Sequence, residues 1–189
     1  MSRSHRLLNA LTSLVRTVAR GGTSRVHSGQ QPPTTDAAPS GRSDAAPSPG
    51  RSGSAATTEL DPRRIGAVRF AYRPERDGEP DPGEIVWTWV PFEERDGRGK
   101  DRPVAIVAAG ADGEFLAVQL TSKGRDDDHD LVPLGAGPWD AQGRPSWARI
   151  DRVFRVSTAG MRREGATLDA ARFEALTHAL GARYGWRSA

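Results

Sequence analysis

Two short segments hold the side chains best suited to handling a phosphodiester. Arg102 precedes Pro103 at the head of the apolar run 104–108, and Thr121-Ser122-Lys123 closes the run 114–121. Proline fixes its own φ and biases the preceding residue toward extended backbone, so Arg102 should leave its loop at a defined angle. If the two runs pair as strands through the Ala111-Asp112-Gly113 turn, Arg102 and Thr121 fall at the same end of the sheet. A guanidinium and a hydroxyl facing one loop-covered pocket would clamp a phosphate, the guanidinium through its forked charged donors. Lys100 and Lys123 are the only lysines in the chain. With Arg98 they flank this pair, which makes the three of them candidates for contacts to a nucleic-acid backbone.

Other chemistries find less support. There is no cysteine, so neither a disulfide framework nor a thiolate metal site is possible. No Walker sequence is present, and no GxGxxG follows a strand. His5, His27, His129 and His178 make no metal-ligand spacing. His129 has the intrinsic pKa of a general base and is a candidate for that role, against a solvated surface position. The run Asp126-Asp-Asp-His-Asp130 reads either as a carboxylate set for a hard cation or as a solvated acidic loop, and the loop is the simpler reading. Trp87 and Trp89 either stack bases or, on the inferred inward face, fill core. Trp139 and Trp147 pack over a barrel end or serve a dimer interface.

The elements that must position these groups are mostly strands. Val68, Phe70 and Tyr72 alternate with polar or small residues, as a half-buried strand does. Glu84–Val90 follows a turn-rich stretch, with Ile85, Trp87 and Trp89 on one face and Pro91 closing it. A polar loop is expected over 92–101, with the acidic start Glu93-Glu-Arg-Asp96, and Asp101 adjoins Arg102 as a potential ion-pair partner. The segment 102–108, with its continuous apolar run, implies a central strand and 114–121 its hairpin partner; 131–134 and 146–150 are shorter strands, and 152–156 continues or follows the latter. Asp169 should cap a terminal helix to about Ala182, burying Phe173, Leu176 and Leu180. Short, closely spaced strands with one terminal helix predict a mainly β fold, a small and strongly bent barrel over 61–189.

Ahead of that domain, 1–20 reads as a basic amphipathic helix with Leu7, Leu8, Leu11, Leu14, Val15 and Val18 at helical steps. It is either a weak membrane or protein contact, or a frayed helix or misassigned start. Residues 21–60, rich in Ser, Pro, Gly, Ala and Thr, are expected to form a disordered linker. The first sixty residues carry seven arginines against three acids, so the tail is +4 and the remainder −1. The overall +3 therefore describes the tail. No run of eighteen apolar residues offers a membrane span, and no clear cleavage site follows the helix. A cytoplasmic location is expected.

In order, Gly83-Glu-Ile-Val-Trp-Thr-Trp-Val-Pro91, Gly97-Arg-Gly-Lys-Asp-Arg-Pro-Val104 and Gln119-Leu-Thr-Ser-Lys123 resemble the PemK/MazF toxins, and the resemblance runs from about Pro82 to Leu180. It implies an SH3-like barrel of the CcdB/MazF plasmid-maintenance type, acting as a homodimer and silenced by a cognate antitoxin. The implied activity is cleavage of single-stranded RNA at short sequences by 2′-hydroxyl transesterification, with no metal or other cofactor. Arg102 falls on the family's catalytic arginine and Thr121 on its catalytic threonine, with Ser122 beside it. The alternatives are a non-catalytic barrel binding nucleic acid (DNA included) or protein, and a poison of a protein target like the gyrase-inhibiting relatives of the barrel.

Overall fold

The structure, a computed structural model, describes residues 48–188 except Arg76 and Asp126. The expected helix over 1–20 lies outside the described residues, as does the expected linker up to residue 47.

The fold is mainly β, one bent antiparallel sheet with a C-terminal helix against it. Its strands are β1 (Thr58–Leu60), β3 (Glu84–Pro91), β4 (Gly99–Ala109), β5 (Glu114–Thr121), β6 (Leu131–Gly135), β7 (Ser146–Ser157) and β8 (Arg162–Thr167). They run in the order β1-β7-β5-β4-β3-β8, with β6 also on β7. The path does not join β1 to β8, so the expected barrel is an unclosed one. A short β2 (Arg69–Phe70) pairs in parallel with β9 (Arg187–Ser188) apart from this sheet. The helix α1 (Ala170–Tyr184) starts at Asp169, whose carboxylate accepts from Arg172 N, and stops at the left-handed Gly185.

β4 lies between β3 and β5 and is buried on both faces, which explains its unbroken apolar run. On one face Ile85, Ala105, Val107, Val118 and Leu120 pack with Trp139 and with Phe173, Leu176 and Leu180 of α1. On the other, Val86, Val90, Val104, Ile106, Phe154 and Val156 form a second cluster. The β4–β5 turn takes Asp112 and Gly113 at positive φ, as a tight hairpin requires.

Several expectations change. Strand β4 begins at Gly99 rather than Arg102, so the loop expected over 92–101 is shorter and Lys100 is a strand residue. Of the two readings of 152–156 the structure has the continuation, one strand with 146–150, and β8 had no counterpart in the sequence reading. Trp87 and Trp89 do share a face with Ile85, but only Ile85 is core; the cluster on the opposite face takes Val86 and Val90.

The boundary expected at 61 also moves. Pro49 O accepts from Trp89 N at 2.9 Å, on the edge of β3 beyond the end of β8. Thr57 and Thr88 share a hydroxyl hydrogen bond of 2.6 Å, and β1 then pairs with 153–155 of β7. Residues 48–60 thus strap the edge of β3 to the edge of β7. Low hydrophobicity hid this segment, because hydrogen bonds and the ion pairs of Glu59 with Arg152 and Arg95 hold it in place of an apolar stripe.

Candidate active site

Strand register assembles the site. Arg102 pairs across with Thr88 on β3, and Val104 with Gln119 on β5. Thr121, two residues further along β5, pairs with Trp147 on β7. Between the pairs Val118–Val153 and Leu120–Ala148 the β5–β7 register shifts, so β7 bulges opposite Gln119. The bulge turns Arg149 and Arg152, three apart in sequence, toward one place.

The result is a cleft of about 530 Å³ lined by Trp87, Lys100, Arg102, Gln119, Thr121, Ser122, Lys123 and Arg149 among others. A second hollow of about 390 Å³ shares Arg102, Gln119 and Arg149 with it and adds Phe92, Glu93, Glu94 and Arg152. The two form a continuous groove with Arg102 in the middle.

Arg102 is half-buried, and no hydrogen bond or ion pair ties it to any described residue. Burial, then the charges of Arg152 and Arg149, push its pKa below the ordinary arginine value. Its neighbours are neutralised. Asp151 takes the Nε and Nη2 of Arg149 at 3.1 and 2.5 Å, and Glu93 takes Nη1 at 2.6 Å. Bonding to Asp151, against the opposing effect of burial, and then to Glu93 holds the Arg149 guanidinium well above its ordinary pKa. Arg152 donates to Glu59 at 2.6 Å and to the Pro91 carbonyl at 2.9 Å. Of these three guanidiniums only that of Arg102 is left without a partner among the described residues, and with Lys100 and Lys123 it gives the groove a charge that attracts an anion.

The structure thus brings Arg102, Thr121, Ser122, Lys100 and Lys123 to one cleft. Thr121 Oγ1 accepts from Lys123 N at 3.1 Å, which leaves its own proton free to donate. Arg98 is not among the lining residues; it is held by Asp96 at 2.6 Å in the β3–β4 loop. His129 is exposed on the loop before β6 and lines neither hollow. Asp101 does not pair with Arg102. It lines the same cleft but bonds Arg162 instead, at 3.0 Å.

Among the described residues no three His, Asp or Glu side chains converge as metal ligands. In the acidic loop, Asp128 accepts from Asp130 N and Asp130 pairs with Arg183. Trp87 lines the cleft half-buried with Arg162 over its ring at 5.5 Å, whereas Trp89 lies under Arg51 at 4.8 Å. Trp139 is core and donates to Ser146 Oγ, and Trp147 packs against the Gly124 backbone.

Sequence reasoning missed Gln119, Arg149 and Arg152 as site residues. Regular alternation would send Arg149 and Arg152 to opposite faces, so only the bulge reveals them.

Residues 81–182 match the family model described as PemK-like, MazF-like toxin of type II toxin-antitoxin system. Among solved structures, the chain is similar to one from a MazE-MazF crystal structure of Deinococcus radiodurans, at 20% identity over 56% of this chain and 96% of that one, with a TM-score of 0.44. It is also similar to the Mycobacterium tuberculosis toxin MazF-mt6, at 19% identity over 55% and 97%, with a TM-score of 0.41. An endoribonuclease from a mycobacterial species gives 18% identity over 59% and 97%, with a TM-score of 0.42. Comparison with curated proteins finds no match.

Proposed function

The chain belongs to the PemK-like, MazF-like toxin family, and from that premise we propose that it is an endoribonuclease cutting single-stranded RNA at short sequences without a metal. The observation that carries the proposal is Arg102, half-buried and unpartnered at the centre of a groove that also presents Thr121 and Ser122.

The reaction is transesterification. The 2′-oxygen of one nucleotide attacks the adjacent phosphorus as the bond from phosphorus to the 5′-oxygen breaks. This leaves a 2′,3′-cyclic phosphate and a free 5′-hydroxyl. The proton of the 2′-hydroxyl passes to water in the open cleft, and water returns one to the leaving oxygen. Because the nucleophile belongs to the substrate, proximity needs no activated water. Arg102 stabilises charge developing on the phosphorane, and Thr121 and Ser122 donate to its non-bridging oxygens. Lys100 and Lys123 hold the flanking backbone. Arg98, tied to Asp96, and His129, outside the groove, have no part in the reaction. Membership of a toxin-antitoxin family supports a cognate antitoxin as partner, with a cytoplasmic homodimer as the working form.

The test incubates the full chain and its Arg102→Ala variant with a long RNA in EDTA and maps the new ends. Discrete cuts bearing 5′-hydroxyls are expected, slowed by about 10²–10³ in the variant, the usual cost of losing a preorganised donor. Equal cutting by both proteins would remove Arg102 from the mechanism. Intact RNA with both would transfer the groove to the non-catalytic, binding-module reading.

A further inference from the structure

The guanidinium of Arg149 is bound from two sides by partners of different kinds. Asp151 lies on the same strand, is largely buried, and holds Nε and Nη2 in a fork. Glu93 comes from the β3–β4 loop, has a side chain 62% exposed, and makes its one ion pair through Nη1 of Arg149. The fork fixes the guanidinium plane, while the Glu93 contact is a single exposed one that is readily exchanged. Nη1 therefore points into the groove from a rigid mount.

The same hollow holds a second unsatisfied group. Gln119 is 4% exposed and lines both halves of the groove between Arg102 and Arg149, and its Oε1 has no hydrogen-bond partner. An open acceptor beside the bulge can be satisfied by a donor on a ligand once the side chain turns into the groove.

We infer that Arg149 and Gln119 form a second subsite, for the phosphodiester and sugar next to the scissile one, and that Glu93 occupies it as an internal competitor until RNA displaces it. This rests on the endoribonuclease reading and extends it. A carboxylate on Nη1 is isosteric in charge and donor demand with a non-bridging phosphate oxygen. Gln119 Oε1 then accepts from the ribose 2′-hydroxyl, the one free hydroxyl of an internal nucleotide and the one deoxyribose lacks. Arg102 grips the reacting phosphate, Arg149 its neighbour, and the acidic loop 93–96 acts as a gate in place of a uniformly repulsive surface.

The experiment measures binding of a fluorescein-labelled, random-sequence RNA with unmodified 2′-hydroxyls to the full chain at fixed salt, with Arg102→Ala in every arm to slow cutting. Glu93→Gln is expected to tighten binding about three- to five-fold, the scale of one exposed ion pair. Glu174→Gln, with the same charge change on α1 away from the groove, is expected to change nothing. In an Arg149→Gln background the gain from Glu93→Gln should vanish, and the dependence of log K on log salt should shallow by about 0.7. Urea midpoints check that each variant is folded. Equal binding by Glu93→Gln and Glu174→Gln, or a gain that survives Arg149→Gln, overturns the subsite while leaving the nuclease reading intact. RNA bound by none of the proteins overturns both.

Discussion

Replacing Glu59 with alanine leaves Arg152 as a buried charge without its counter-ion. The Arg152 side chain is 7% exposed and that of Glu59 18%, and the pair closes at 2.6 Å. Breaking a fully buried pair from one side costs about 3–5 kcal/mol. Two features reduce that here: Glu59 is partly solvated, and Arg152 keeps the Pro91 carbonyl. One feature works the other way, since Arg152 Nε is already buried without a partner. The expected loss is about 2–3 kcal/mol, or roughly 5–10 °C in Tm for a folded part of this size.

Urea denaturation of the full chain measures it. Adding Arg152→Met to Glu59→Ala should recover at least half the loss, because an apolar side chain has no charge to strand. Arg95, at 3.6 Å from Glu59 and 75% exposed, should matter by less than about 0.5 kcal/mol when replaced by alanine. The effect also depends on pH. Burial pulls the Glu59 pKa up, but bonding to and the charge of Arg152, with help from Arg95, outweigh it and hold the group below its ordinary 4.5. Its contribution is therefore full above pH 4.5 and lost as pH falls through the lowered folded value. The gap between the wild type and Glu59→Gln should be flat above about pH 5 and narrow in acid. A Glu59→Ala protein within 0.5 kcal/mol of wild type, or a double variant no better than the single, would refute the reasoning.

Gly50 has φ +77°, and a Cβ there would lie 2.3 Å from Thr88 Oγ1 and 2.7 Å from the Gly160 carbonyl; Gly50→Ala should cost about 2–3 kcal/mol by denaturation. Gly53 has nearly the same φ but nothing within 4 Å, so Gly53→Ala should cost only about 1 kcal/mol, and equal losses would mean the strap is not packed on β3. Trp87→Ala should weaken binding of the same RNA roughly ten-fold, the scale of one stacked base, while Trp89→Ala, outside the cleft lining, should leave binding unchanged. Equal effects of the two would return Trp87 to a purely structural role.

The strands with apolar periodicity were legible in the sequence: 84–91, the run 104–108, 114–121 and the capped helix all carry it. The placement of Arg102 and Thr121 at one end of the sheet follows from a single hairpin, a local relation that sequence can express. What sequence could not express is the bulge in β7, set by pairing with β5 from 28 residues away. Arg149 and Arg152 enter the site only through it. Strand β1 and the strap escaped for another reason. Their attachment uses Pro49 O, the Thr57 hydroxyl and Glu59, polar groups that look like linker until their partners on β3 and β7 are known. Trp87 and Trp89 show the limit of alternation itself. They lie on the same face as the buried Ile85, yet that face runs out of core before it reaches them.

The strap lies outside residues 81–182, yet it sets the charge of the groove. The guanidiniums of Arg102, Arg149 and Arg152 converge there, and each unpaired one would repel the others and discourage the compact state. Asp151 and Glu93 neutralise Arg149 from within the matched region. Arg152 is neutralised by Glu59, which the strap supplies. Arg102 alone remains open, its charge disfavoured by burial and by both neighbours until an anion arrives. A phosphate bound at Arg102 therefore relieves an electrostatic cost already present in the free protein. The strap's contribution to catalysis would be to confine that cost to one residue.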